Sequence, residues 1–246
     1  MKIKDYLNPI NIEDAYEHLM DQKNAVVIAG GMFLRLQNRT LPLVIDLAKL
    51  GLDTIKEDED CFRIGAMTTL RAIEKSCALP DALRDSTKQI AGVALRNVAT
   101  IGGSIMGRYP FSDISTALLA LGAKLNFYAN GQIEMDHFLN DGIKESDILL
   151  EILVPKAQYS LFKAYKVVYT DFSLVNLAIC KTDVIRVAIG ATPGRAKHII
   201  IQEITDIDAL IDQFEYSDDF RAGGDYRKAL AKALIEDGLE EVQRWK

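Results

Sequence analysis

The sequence predicts an α+β protein whose first half alternates strands and helices and whose second half is an antiparallel meander closed by a helix. Three observations carry this. Short apolar runs alternate with helix-period segments up to about residue 120, the βαβ rhythm of a parallel sheet. Apolar runs joined by short polar turns then follow one another as far as Ile189. The last stretch, from Asp225 to Trp245, returns to helical spacing.

The elements follow in order. Asn11 is placed to cap a first helix, with Asp14 three residues on and Ile12, Ala15, Tyr16, Leu19 and Met20 along one face. Ala25 to Ala29 is a buried strand stopped by Gly30-Gly31, and Met32 to Leu36 reads as a helix start. Leu43 to Leu47 and Phe62 to Ala66 repeat the strand pattern and extend the βαβ rhythm. Helices are expected after Thr68-Thr69 and from Ala82 through Val93. Lys124 to Tyr128, Asn130-Gly131 and Ile133 to Phe138 form a hairpin signature, because Asn-Gly suits the positive φ angles of a primed turn. Asp147–Val154, Tyr159–Val168, Leu174–Cys180 and Val184–Ile189 read as strands. Tyr226, Leu230, Ala233, Leu234, Leu239 and Val242 are the expected apolar side of the closing helix. A boundary is placed near Pro155, where the strand run breaks.

Composition narrows the function. The 246 residues are 49% hydrophobic and 26% charged, enough for a real core without disulfide or metal staples. A net charge of −6 disfavours nucleic acid or an anionic membrane surface as the main partner. The cysteines Cys61, Cys77 and Cys180 form neither a disulfide framework nor a CxxC knuckle. No apolar window is long enough to span a bilayer, and the expectation is a soluble, cytoplasmic protein. Walker, GxGxxG, HExxH and GxSxG motifs are absent, and His18, His137 and His198 stand apart in sequence. No acid–base pair is nominated, so no side chain is expected to be catalytic.

Two diglycines remain. Gly30-Gly31 follows one apolar run, and Gly102-Gly103 follows Val98-Ala99-Thr100-Ile101. A glycine pair lets main-chain amides crowd inward and form a concave anion site, which suits a dinucleotide pyrophosphate. The same pair serves equally as a plain tight turn. Residue types alone leave both readings open.

The blocks around these diglycines resemble the FAD-binding subunit of the molybdenum hydroxylases, the family of xanthine dehydrogenase and carbon monoxide dehydrogenase. The resemblance is carried by Tyr6 and Pro9, Ile12 to Ala15, Val27 to Gly31, Ile64 to Thr69, Arg96 to Ser104 and Pro110 to Ile114. Asp147 to Ile152, Phe162-Lys163, Asp171 and Asp225-Tyr226-Arg227 follow in matching order. It implies an FAD-binding fold of two subdomains, about 1–53 with a small parallel sheet and 54–155 with a larger mixed or antiparallel one. A smaller C-terminal domain of antiparallel sheet and helices, 156–246, would follow.

The resemblance also assigns roles. The backbone of Ile28, Ala29, Gly30, Gly31, Met32, Phe33 and Leu34, and that of Thr100, Ile101, Gly102, Gly103 and Ser104, would cradle the pyrophosphate. Asp113 would make a polar contact to the cofactor, and Leu149 and Lys163 would lie at the flavin end. Ser112 or Asp113 would also serve as a helix N-cap. The implied partners are a molybdopterin-binding large subunit and an iron–sulfur small subunit, with NAD as a possible electron acceptor. Departures are Met32-Phe33 where small polar residues are usual, Ser104 for Asn, Ala94 for Gln, and Gly107-Arg108-Tyr109 in a stretch of small residues. The last would reshape the flavin face or receive a partner, which tells against NAD. Two other readings are a stand-alone flavin oxidase using Tyr109 and Arg108, and a scaffold subunit that has lost FAD through Met32-Phe33.

Overall fold

The computed structural model describes residues 1–203 and 206–243. The chain opens with β1 (Lys2–Ile3) and β2 (Tyr6–Leu7), followed by α1 (Ile12–Asp21), whose N-cap Asn11 accepts a hydrogen bond from the Asp14 amide. β3 (Val26–Ile28), β4 (Thr40–Leu41) and β5 (Val44–Asp46) come next. β2, β5 and β3 form a parallel sheet in that order, and β1 pairs with β4. Ala15 and Leu19 of α1 pack on Leu43, Ile45 and Leu47 from one side of this sheet. The amphipathic spacing of α1 thus finds the surface it needs.

A second sheet starts with β6 (Ile55–Glu57) and β7 (Cys61–Gly65). Four helices follow: α2 (Leu70–Lys75), α3 (Asp81–Lys88), α4 (Val93–Arg96) and α5 (Ile101–Met106). After α6 (Asp113–Ala120) come β8 (Lys124–Phe127), β9 (Gly131–Glu134), α7 (Met135–Asp141) and β10 (Leu149–Pro155). The order β6-β7-β10-β8-β9 is antiparallel throughout. The third sheet is the meander β11 (Tyr159–Tyr165), β12 (Val175–Lys181), β13 (Ile185–Gly190) and β14 (Lys197–Ile201). α8 (Ile207–Ile211) and α9 (Gly224–Gln243) end the described chain.

Period-two alternation in β12 builds two cores at once. Ala178 and Cys180 join the large core beneath α2 to α7, whereas Leu177 and Ile179 face α8 and α9. Burial in the first of these cores pushes the Cys180 thiol up to about 11. The helices α3 and α6 therefore lie between the second and third sheets, and α9 covers the far side of the third.

Several sequence expectations are corrected. Phe62–Ala66 was assigned to the parallel rhythm, but β7 lies between antiparallel neighbours. Its partners come from a turn closed by the Asp58 amide on the Cys61 carbonyl and from the distant β10, which no local period encodes. The helix expected at Met32 shrinks to one 3-10 turn, Leu34–Leu36, since the chain must reach β4 within a few residues. The expected helix Ala82–Val93 breaks after Lys88, where Ala91 adopts a positive φ of 47° and Gly92 follows.

The hairpin's second arm ends at Glu134. Met135, Phe138 and Leu139 bury themselves at helical spacing instead. Only Gly131 of the Asn-Gly pair has a positive φ, so the turn is not of the primed type that needs two. In α9 the buried face is Gly224, Arg227, Ala231, Ile235 and Gly238, flanked by Leu230, Leu234 and Leu239; Tyr226 and Ala233 are exposed. Burial of Ile235 alone contributes roughly 1.5–3 kcal/mol. Trp245, and the side chain of Val242, lie outside the described residues.

Arg227 occupies the centre of that face, 1% exposed, where an apolar residue would be expected. Its guanidinium donates to the carbonyls of Leu174 and Ala191 and to Asp219. It thereby ties α9 to the start of β12 and the end of β13.

Candidate cofactor site

The first bend leaves β3, an edge strand, at Ile28. Gly31 turns with φ +64°, a conformation an L side chain rarely adopts. Among the described residues, no protein acceptor receives the main-chain N–H of Gly30, Gly31, Met32 or Phe33. Four successive free donors on an irregular bend are the groups from which an anion nest is built.

The second bend is built differently. Thr100 caps α5 and accepts from the Gly103 amide at 3.2 Å. The Ile101 amide donates to Thr68 O, that of Gly102 to Ala66 O and that of Ser104 to Thr100 O. The Ser104 hydroxyl also donates to Thr100 O at 2.9 Å. The amides of Ile101 to Ser104 are thus committed within the protein, unlike those of the first bend. What the second bend offers is bare surface: a Cβ built on Gly103 would meet only Thr100 Oγ1 within 4 Å.

The two bends touch. A Cβ on Gly30 would collide with the Val98 carbonyl. Along the seam run three adjoining cavities of about 450, 440 and 270 Å³. The first is lined by Val27, Ala29, Met67, Gly103, Asp147 and Leu149. The middle one lies between residues 29–34 and Thr100, Gly103 and Ser104, and shares Ala29 and Gly103 with the first. The third continues from Met32, Phe33, Ser104 and Tyr109 to Asp113, Lys166, Asp171 and Phe172.

At that far end Ser112, not Asp113, caps α6, accepting from the Ser115 amide at 3.1 Å. Asp113 is 5% exposed and holds a network of its own. Its carboxylate accepts from Ser173 Oγ at 2.6 Å and Asn176 Nδ2 at 2.7 Å, and it pairs with Lys166 Nζ at 2.8 Å. Asn176 in turn accepts from Thr116 at 2.8 Å.

Most of the residues assigned by resemblance line the three cavities; Ile28, Ile101 and Lys163 do not. Leu149 closes the first cavity, at the opposite end of the trough from Asp113. Lys163 lines none of the three cavities. It lies beside α9, where its ammonium pairs with Asp237 at 2.8 Å and Glu241 at 3.1 Å. Burial works against the Lys163 charge, but these two carboxylates outweigh it and raise its pKa.

The lysine lining the third cavity is Lys166, which sequence reasoning missed. Period two was the available signal. Lys163 shares parity with Leu161, which faces α9, whereas Lys166 lies just past the end of β11. Arg96 was also missed as an organising residue. Nearly buried, it donates to Glu74, Ile90 O and Ala91 O and so fixes the loop that lines the second and third cavities.

Arg108 and Tyr109 divide. Tyr109 lines the second and third cavities. Arg108 turns away, caps α7 through Leu139 O and Asn140 O, and lines none of the three cavities. Burial, with Arg195 nearby, lowers its pKa despite Asp141.

An elongated trough of this kind, apolar along its walls with unpaired amides at its middle, fits an extended dinucleotide with a central pyrophosphate. The class defined is thus a dinucleotide-cofactor domain. Residues 1–157 match the family described as "FAD binding domain in molybdopterin dehydrogenase", and the chain belongs to that family. It is an FAD-binding medium subunit of the molybdenum hydroxylase type, within the oxidoreductases of the xanthine dehydrogenase and carbon monoxide dehydrogenase kind.

Relatives include the uncharacterized protein YgfM of Escherichia coli K12, 27% identical, with 98% of this chain and 97% of the relative covered. The nicotine 6-hydroxylase medium subunit of Paenarthrobacter nicotinovorans is 24% identical, with 96% of each covered. The carbon monoxide dehydrogenase of Hydrogenophaga pseudoflava superposes with a TM-score of 0.87 at 23% identity, over 100% of this chain and 98% of that one. A Cu,Mo-CO dehydrogenase gives 0.88 at 21%, over 99% of each. These structures share the α+β fold. Among the described residues, no helix is long and apolar enough to cross a membrane.

Proposed function

We propose that this chain carries electrons within a complex that also contains a molybdopterin-binding large subunit and an iron–sulfur small subunit, delivering them to an acceptor such as NAD. When bound, FAD supplies the redox chemistry, taking up electrons that arrive singly and releasing them as a pair. The chain's own residues bind and orient. The amides of Gly30 to Phe33 hold the pyrophosphate, Gly103 leaves it room, and the Asp113–Lys166 pair sets the polar end of the third cavity. Leu149 and Met67 give apolar cover at the other end.

The observation that carries this reading is the contact between Gly30 and Val98, which sets free amides beside a bare glycine surface in one trough. The test is to purify the chain, add FAD, remove the excess and record the visible spectrum. Co-expression with a molybdopterin-type chain and a small cysteine-rich chain then tests assembly. A colourless protein that retains no added FAD refutes the site, and failure to co-purify with either chain refutes the complex.

A further inference from the structure

We propose that Tyr109 is the ring against which the isoalloxazine of bound FAD is seated, and that it quenches the flavin's fluorescence; this rests on the FAD-binding reading above. Four rings form a row along the trough. Phe33 lies 4.7 Å from Tyr109 between centroids, Tyr109 stacks on Phe111 at 5.3 Å with 14° between planes, and Phe111 meets Phe172 at 4.1 Å. All four line the third cavity, beside the polar Asp113–Lys166 pair. A flat, electron-poor heterocycle with one polar edge matches a wall of rings ending in a charged pair.

Tyr109 is singled out by its position and by how firmly it is held. It borders both the middle and the third cavity, at the passage from the pyrophosphate amides to the ring row. Its ring lies so close to Gly107 that a Cβ there would overlap the ring carbons. Between them Arg108 adopts φ +45°, a strained conformation for a side-chain-bearing residue, and its guanidinium is anchored on Leu139 O and Asn140 O. A bend over-determined in this way fixes the ring before any ligand arrives, which lowers the cost of ordering it on binding.

Chemistry distinguishes Tyr109 from its neighbours. A phenol gives an electron readily to an excited flavin and recovers it by recombination, whereas a phenyl ring does not. Among the described residues Tyr109 is the sole tyrosine lining the three cavities. Tyr109→Phe keeps the ring row but removes the donor.

The experiment loads the wild-type chain, Tyr109→Phe and Tyr109→Leu with FAD and removes the unbound excess. Bound flavin is counted by absorbance after denaturation, emission per bound flavin is recorded, and far-UV circular dichroism checks folding. The expected result is dim flavin in wild type and several-fold brighter flavin in both variants. Equal emission per bound flavin in wild type and Tyr109→Phe overturns the seating of the ring while leaving FAD binding intact. A wild-type chain that retains no flavin overturns the binding reading, and this inference with it.

Discussion

Gly30 packs directly on the main-chain carbonyl of Val98, with no space for a side-chain carbon between them. This contact holds the free amides of one bend against the second bend, where the amides of Ile101 to Ser104 are engaged internally. Gly30→Ala therefore has to separate the bends. Overpacking of this kind costs about 1–3 kcal/mol. The expected outcome is a lower urea midpoint together with loss of retained FAD; a variant with both unchanged would show that the bends part without consequence.

Gly103 gives the opposite pairing of effects. Its missing side chain would meet only Thr100 Oγ1, at 3.2 Å. Gly103→Val disturbs one N-cap, about 1 kcal/mol at most, yet places a branched carbon in the trough. Thermal denaturation should stay close to wild type while retained flavin falls steeply. Wild-type flavin content in this variant would mean that the pyrophosphate lies elsewhere.

Local chemistry made parts of this architecture legible. The Asn11 cap, the helix after Thr68-Thr69 and the Gly30-Gly31 bend depend on a few adjacent residues, and the structure has them where the sequence predicts, whereas Gly102-Gly103 falls inside the first turn of α5. Pairings made at long range were not legible. That β7 would find β10, or that Gly30 would reach Val98, follows from tertiary closure and leaves no local period. Arg227 shows a third limit. A charged residue at a buried helix position is masked by the apolar pattern, because its partners, Leu174 O, Ala191 O and Asp219, come from three separate segments.

Glu74 and Arg96 supply a pH-dependent prediction. Arg96 Nε donates to Glu74 at 2.9 Å, and Arg71 pairs with the same carboxylate at 2.6 Å. Burial acts to raise the Glu74 pKa, but hydrogen bonds from Arg71 and Arg96 outweigh it, and the pKa is lowered from the usual 4.5. A depressed folded value means the contribution is complete above about pH 4.5 and is lost as pH falls through the lowered folded pKa. Glu74→Gln leaves the nearly buried Arg96 without a charged partner, a cost of roughly 3 kcal/mol near neutral pH. Urea titrations should find wild type and variant converging in acid. A gap independent of pH would remove the ion pair from the account.

The two lysines of the β11 region, Lys163 and Lys166, are the sharpest test of where the trough ends. Lys163 meets Asp237 and Glu241, whose side chains are 65% and 48% exposed, so solvent screens the pairing. Lys163→Met is expected to cost at most about 1 kcal/mol and to keep its flavin. The Lys166 side chain is 4% exposed and meets that of Asp113 at 5%. Lys166→Met strands that carboxylate, with Ser173 and Asn176 as its remaining donors, at a cost of about 3–5 kcal/mol. Because the third cavity is lined by both members of the pair, flavin retention should fall with stability. Adding Asp113→Asn to Lys166→Met should recover part of the lost stability, since the stranded charge is then gone, and a double-mutant cycle measures the coupling. If Lys163→Met sheds flavin while Lys166→Met retains it, the polar end of the site has been put on the wrong lysine.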